Sequence, residues 1–151
     1  MKNLFDPNIA NHVKTRLGNL QPQAQRRWGK MTAPQMLAHC SLGVQWALGE
    51  LTPEKAPLPV RLIGRLVKPM VFRNEDPMRK NSPTAGSLII AGQRDLYTER
   101  DRLSQLIDKF AAGGPAGCTT NPHSFFGKLT PQEWAVLMYK HLDHHLRQFG
   151  V

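Results

Sequence analysis

Residues 139–147, YKHLDHHLR, place three histidines within five residues. An α-helix turns about 100° per residue, so His141 and His145 lie above one another on one face and His144 lies to one side. Two stacked imidazoles form half of a metal site. The pattern therefore indicates a helix that carries metal ligands and that needs at least one more ligand from another part of the chain.

The same helical wheel predicts which face of this last helix points inward. Within about 100° of His141 and His145 lie apolar residues typical of a core: Trp134, Met138, Leu142 and Phe149. Lys140, Asp143 and Arg147 lie on the opposite face, where we expect solvent. The two stacked histidines are therefore predicted to point into the core.

A third ligand is predicted at His39, within the helical pattern that follows Thr32. The inward arc of that helix holds Met36, Cys40, Gly43, Val44 and Ala47, with His39 at its edge and with Ser41 and Gln45 outside. Gly43 leaves space beside the imidazole. We therefore expect His39, His141 and His145 to converge on one divalent cation.

Three buried imidazoles are costly unless they share a partner, and a divalent ion is such a partner. They leave coordination positions open for water or for an anionic ligand, as in catalytic metal sites. Nitrogen ligation without thiolate suits zinc or nickel, and it is also compatible with iron or manganese. The alternative is three separate histidines, each hydrogen-bonded to a backbone carbonyl or to water.

Three other residues are candidates for a second shell of the site or for substrate contacts: Gln35, His123 and His144. Gln35 lies one turn before His39 and could orient it, although a capping role competes. His123 lies in a loop that could fold over the site, and His144 is expected to be exposed or at the rim. Cys40 points about 100° away from His39, which favours core packing over ligation.

Start and stop signals predict four long helices. Asp6-Pro7 starts a helix over 7–20, and Thr32 with Gln35 forms a capping box for a helix from 33 to about 49. Helix three is predicted over 93–112, where Gly113-Gly114 ends it. Thr130-Pro131 with Glu133 starts the last helix, which runs to about 149.

Residues 50–86 contain six prolines and form a long crossover with one short helix around 60–68. Residues 87–90 are expected to be briefly extended. Such a crossover is needed when two neighbouring helices of a bundle run the same way. The predicted fold class is therefore all-α, a four-helix bundle with this crossover between helices 2 and 3, in one domain spanning 1–151.

Composition narrows the class of protein. Lysine and arginine number 20 against 11 aspartate and glutamate residues, for a formal charge of +9. This suits an anionic partner, but no nucleic-acid-reading motif accompanies the charge. No transmembrane stretch or signal peptide is seen, so we expect a cytoplasmic protein without a membrane partner, and Cys40 and Cys118 as free thiols.

With these residues assembled, the chain resembles the DinB/YfiT-like metalloenzyme superfamily, in a branch that is a domain of unknown function. The resemblance covers nearly the whole chain and rests on residues 28–40, WGKMTAPQMLAHC, and on residues 123–145, from HSFFGKLT to HLDHH. It implies a four-helix bundle whose metal is held by one histidine on the second helix and a spaced pair on the last. On this sequence those roles fall to His39, His141 and His145.

The resemblance also implies a chemistry. Characterised members of the superfamily include thiol-dependent transferases and isomerases that use low-molecular-weight thiols, so a metal-dependent thiol S-transferase or a hydrolase is expected. Many relatives continue the last histidine into an Arg-Gly-Gln run, whereas His145 is followed here by Leu146-Arg147-Gln148. Some relatives are dimers, which Trp46, Trp134 and Phe149 would permit here. The alternative is a non-catalytic bundle that binds a ligand or a partner.

Overall fold

The computed structural model describes residues 1–151 and consists of five α-helices without a β-strand. The helices are α1 (Pro7–Gly18), α2 (Ala33–Ala47), α3 (Leu58–Arg73), α4 (Leu96–Gly113) and α5 (Pro131–Gln148). Short 3₁₀ turns occur at Gly86–Leu88 and Gly114–Gly117. The all-α prediction is confirmed. No helix is long and apolar enough to cross a lipid bilayer.

The predicted caps explain where three of the helices begin. The Asp6 carboxylate accepts a hydrogen bond from the Asn8 N–H at the start of α1. Thr32 and Gln35 form the reciprocal capping box of α2, at 3.0 and 3.4 Å. Thr130 and Glu133 do the same for α5, at 2.8 and 3.2 Å. These bonds satisfy N–H groups that have no partner within the helix.

The core lies between α1, α2, α4 and α5. Helix α2 packs along α4 and α5, and α1 contacts both α4 and α5. Large side chains at 2% exposure or less fill the space between them: Val13, Leu17, Met36, Leu37, Leu103, Ile107, Phe110, Trp134, Leu142 and Leu146. This arrangement places the inward faces of α2 and α5 opposite one another.

Two predictions for the crossover are wrong. Helix α3 runs from Leu58 to Arg73 with Pro69 inside it, whereas a short helix around 60–68 was expected. The Lys140 ammonium donates to the carbonyls of Val71 and Asn74, at 2.9 and 3.1 Å, and so supports the last turn. The expected extended segment at 87–90 instead begins with the 3₁₀ turn Gly86–Leu88.

The outward face predicted for α5 is also partly wrong. Lys140 is only 7% exposed and Asp143 only 8%. The Asp143 carboxylate binds the guanidinium groups of Arg16 and Arg147, both at 2.7 Å. The helical wheel of α5 alone cannot show that α1 and the segment after α3 cover this face. The buried charge of Asp143 is tolerated because it is paired with two guanidinium groups.

Other helix faces differ from the wheel in smaller ways. Ser41 is fully buried rather than exposed, and its hydroxyl donates to the Leu37 carbonyl at 3.0 Å. The start of α4 is set by Asp95, whose carboxylate accepts from the Thr98 N–H at 2.8 Å, three residues later than predicted. The three aromatic residues that would permit a dimer are all buried in the core: Trp46, Trp134 and Phe149.

Candidate metal centre

The structure brings His39, His141 and His145 together between α2 and α5. One ring nitrogen of each lies within 4.8 Å of the others. The ring centroids are 4.9 Å apart from His39 to either of the other two, and 4.7 Å apart between His141 and His145. His39 reaches this position from 102 residues away in the sequence.

The orientation of His39 is fixed by a backbone carbonyl. Its Nδ1 lies 2.9 Å from the oxygen of Leu88, in the 3₁₀ turn that precedes α4. A carbonyl only accepts, so Nδ1 carries the proton and donates it. The lone pair of His39 therefore lies on Nε2, which faces the Nε2 of His141 at 3.0 Å.

His145 is held in the same tautomer by Gln148, one turn later on α5. The side-chain NH₂ of Gln148 donates to the Trp28 carbonyl at 2.6 Å, which fixes the direction of the amide. Its oxygen then faces His145 Nδ1 at 2.9 Å and accepts the proton of that nitrogen. The Nε2 lone pair of His145 is therefore left free.

His141 has no comparable partner. Its Nδ1 is buried and makes no hydrogen bond. This nitrogen lies against Gly43 of α2, where a Cβ atom would stand 3.1 Å from it. Gly43 was expected to leave space beside His39, but it makes room for His141.

The donor set fits a divalent cation. Two cis ligands of one ion lie about 3.0 to 3.4 Å apart when each metal–nitrogen bond is about 2.1 Å, and the Nε2 atoms of His39 and His141 are 3.0 Å apart. Pairs separated by as much as 4.8 Å must close by roughly 1.4 to 1.8 Å to reach that range. His39 and His145 both present lone pairs, and His141 can offer a proton to only one of them. A cation accepts one lone pair from each of the three rings.

Burial keeps these rings neutral, which is the form that binds a metal. It lowers the pKa of His145 to about 3 and lowers that of His39, where the Leu88 carbonyl opposes the shift. The pKa of His141 is well below its usual value because of burial and then because of the neighbouring His145 and His39. Near neutral pH the cluster therefore offers three uncharged nitrogen ligands.

Gln35 and His144, two of the three candidates for a supporting role, lie in different places relative to the three histidines. Gln35 makes no hydrogen bond with His39; its amide caps α2 and donates to the Gly92 carbonyl at 3.0 Å. His144 is half-buried beside His145, at 5.1 Å between ring centroids, and 5.5 Å from the Trp28 ring. Burial lowers the pKa of His144, and its bond to the Met78 backbone opposes that shift.

His123 belongs to a neighbouring aromatic cluster and is not one of the three converging residues. Its ring stacks on Trp46 at 4.1 Å and lies 5.4 Å from Trp134. Its Nδ1 accepts the N–H groups of Phe125 and Phe126, at 3.1 and 3.2 Å. Burial lowers the pKa of His123 to about 3. Its observed contacts order the loop before α5.

Cys40 packs in the core as predicted, with its sulfur 3.7 Å from the sulfur of Met36. Burial raises the pKa of its thiol far above the usual range. Cys118 is also a free cysteine, and burial raises its pKa to about 11. Neither thiol is in the reactive thiolate form near neutral pH.

Sequence reasoning missed two groups that orient the ligands. One is Gln148, which follows His145 by three residues and therefore lies on the same side of α5; this spacing was a usable signal. The other is the Leu88 carbonyl, and no sequence pattern identifies a backbone oxygen in a crossover segment. Both hold the Nδ1 protons of the ligands, as outer partners of metal-binding histidines do.

The family assignment rests on a comparison with protein-family models. The model of a family described as protein of unknown function, DUF1569, matches residues 6–150. The match includes all three converging histidines and Gln148. A search of the curated proteins and a search of the solved structures gave no match. The chain therefore belongs to the DUF1569 family of proteins of unknown function.

Proposed function

We propose that this protein is a metal-dependent enzyme in which His39, His141 and His145 bind one divalent cation, zinc or nickel before iron or manganese. The remaining coordination positions are open to water or to a small-molecule thiolate. The observation that carries the proposal is the convergence of three neutral imidazoles, two of which have their Nδ1 protons held by the Leu88 carbonyl and by Gln148.

A bound cation supplies Lewis-acid activation of a thiol or of water. The residues of this chain supply the rest of the site. Neutral imidazoles leave the charge of the cation uncompensated, which favours an anionic ligand such as a thiolate. Lys80 adds a positive charge on the side of His144: its ammonium lies 4.5 Å from the centre of the Trp28 ring, and that ring lies 5.5 Å from the His144 ring. We therefore propose a low-molecular-weight thiol as substrate, in a transferase or hydrolase reaction.

The finer fold assignment is part of this proposal. We infer that α1, α2, α4 and α5 correspond to the four-helix bundle of the DinB/YfiT-like superfamily, with α3 as its crossover helix. The positions of the histidines support it, one on α2 and a pair four residues apart on α5. Two free cysteines support a cytoplasmic location.

Metal analysis of the purified protein tests the site. We expect about one equivalent of divalent metal per chain and its loss in His141→Ala. The matched control is His12→Ala, which removes an exposed histidine of α1. Absence of metal from wild-type protein purified without chelators, followed by failure to bind added zinc or nickel, would overturn the proposal.

Activity is tested separately from metal binding. Metal-loaded protein is incubated with glutathione-like thiols and electrophiles, and turnover is compared with that of His141→Ala. Metal-dependent turnover is expected only when all three ligands are present. Metal binding without turnover of any thiol would refute the thiol chemistry and leave the metal site standing.

A second candidate function is a non-catalytic helical domain that binds a ligand or partner. It is favoured by the 3.0 Å contact between the Nε2 atoms of His39 and His141, which one proton can bridge without a metal. Under this reading a chelator leaves the melting temperature unchanged. If the metal belongs to the native state, the chelator lowers it.

A further inference from the structure

Helix α3 has an apolar face that points into solvent. Its large side chains are between 52% and 78% exposed at Leu58, Leu62, Ile63, Leu66 and Met70. At 100° per residue these five positions cover an arc of about 140° on one side of the helix. Monomeric proteins rarely leave so many large apolar side chains together in water, and such faces mark interaction surfaces. We call these five residues the outer face of α3.

The opposite side of α3 packs against the rest of the protein and is bonded to it. Gly64 is the buried residue of the helix and lies directly against the Phe125 carbonyl, where a Cβ atom would collide with the oxygen. Lys68 donates to the Lys128 carbonyl at 2.8 Å and pairs with Glu133 at 2.9 Å. The outer face is thus presented by an anchored helix, which cannot turn these residues inward without breaking those contacts.

The charged residues of α3 itself are all basic, although one of them, Lys68, is paired with Glu133 of α5. Residues 55–74 contain five basic side chains and no acidic one. On the helical wheel, Arg61 and Arg65 follow one edge of the outer face, and Arg73 stands at its C-terminal end. Helices that lie in the surface of a membrane combine an apolar face with arginine or lysine beside it, which reach the anionic headgroups.

We propose that α3 is a docking surface for an anionic lipid bilayer. Its outer face enters the boundary between headgroups and acyl chains, and Arg61, Arg65 and Arg73 contact lipid phosphates. A second copy of the chain fits less well, because a symmetric contact brings the same arginines against one another. The inference replaces the expectation that the protein has no membrane partner, and it does not depend on the metal site.

Vesicle co-sedimentation of the full-length protein tests the docking surface. We expect binding to phosphatidylcholine–phosphatidylglycerol vesicles that is at least tenfold tighter than to pure phosphatidylcholine vesicles and that weakens as salt is added. Leu66→Glu should reduce binding at least tenfold, since it removes a leucine side chain from the buried area and adds repulsion. Arg65→Gln should reduce it about fivefold.

The matched control is Tyr97→Glu, which places the same charge on another exposed large hydrophobic residue, 53% exposed on α4. Helix α4 makes no packing contact with α3, so this variant should bind vesicles like the wild type. Circular dichroism checks that Leu66→Glu is folded, which its 78% exposure predicts. Equal binding by Leu66→Glu and wild type, no binding to anionic vesicles, or a dimer that Leu66→Glu converts to monomer would each overturn the proposal.

Discussion

Replacing Gln148 by leucine tests whether this residue sets the metal-binding tautomer of His145. Leucine removes the acceptor of the His145 Nδ1 proton and the donor to the Trp28 carbonyl, contacts of 2.9 and 2.6 Å. His145 is then free to place its proton on Nε2, the nitrogen that faces the other two ligands. Loss of such an outer partner lowers metal affinity by about ten- to a hundredfold.

The same change should lower the stability of the metal-free protein. It leaves two buried polar groups unpaired, and each costs about 1 to 3 kcal/mol. Zinc affinity is measured by competition with a chromophoric chelator, and stability by urea unfolding in the presence of a chelator. The two measurements separate a ligand effect from a folding effect.

Gln45→Leu is the matched control. The Gln45 amide also makes two side-chain hydrogen bonds, with Glu50 and with Arg102, both at 3.1 Å, but it lies near the surface of α2. We expect zinc affinity in this variant to stay within about twofold of the wild type. If folded Gln148→Leu also binds zinc within twofold of the wild type, the tautomer argument is refuted.

Three further outcomes are expected. Gly43→Ala should weaken zinc binding about tenfold, because the new Cβ lies 3.1 Å from His141 Nδ1 and displaces a ligand. The control is Gly18→Ala, whose new Cβ has nothing within 4 Å; it should leave the zinc affinity unchanged in the same competition assay. The pKa of His145 is about 3 in the folded protein, below the usual value of about 6.5. The contribution of His145 to the free energy of unfolding is therefore complete above about pH 6.5. It falls by about 1.4 kcal/mol per pH unit as the pH is lowered to about 3. Urea unfolding of the metal-free protein between these pH values checks this slope, and a His145→Gln variant with an unchanged slope would contradict it. Asp143→Ala should destabilise the protein by about 3 kcal/mol, since it leaves the largely covered Arg16 guanidinium, 14% exposed, without its carboxylate. A thermal melt unchanged from the wild type would show that the pair contributes nothing.

Local sequence signals predict the starts of α1, α2 and α5 and the pair of histidines on α5. Thr32 with Gln35 and Thr130 with Glu133 mark helix starts because their hydrogen bonds join residues three apart. The spacing of His141 and His145 places both rings on one face because of the helical turn alone. In each case the interacting groups lie within one turn of the chain, so neighbouring residues suffice to predict them.

Only the tertiary structure decided which distant groups meet. His39 was predicted as the third ligand from its helical pattern, but the Leu88 carbonyl that orients it lies in a segment without a periodic pattern. The burial of Lys140 and Asp143 depends on α1 and on the chain after α3, which cover a face that looks solvated on the wheel of α5 alone. These contacts join parts of the chain whose separation no local periodicity encodes, since each helix specifies its own turns but not the neighbour that packs against it.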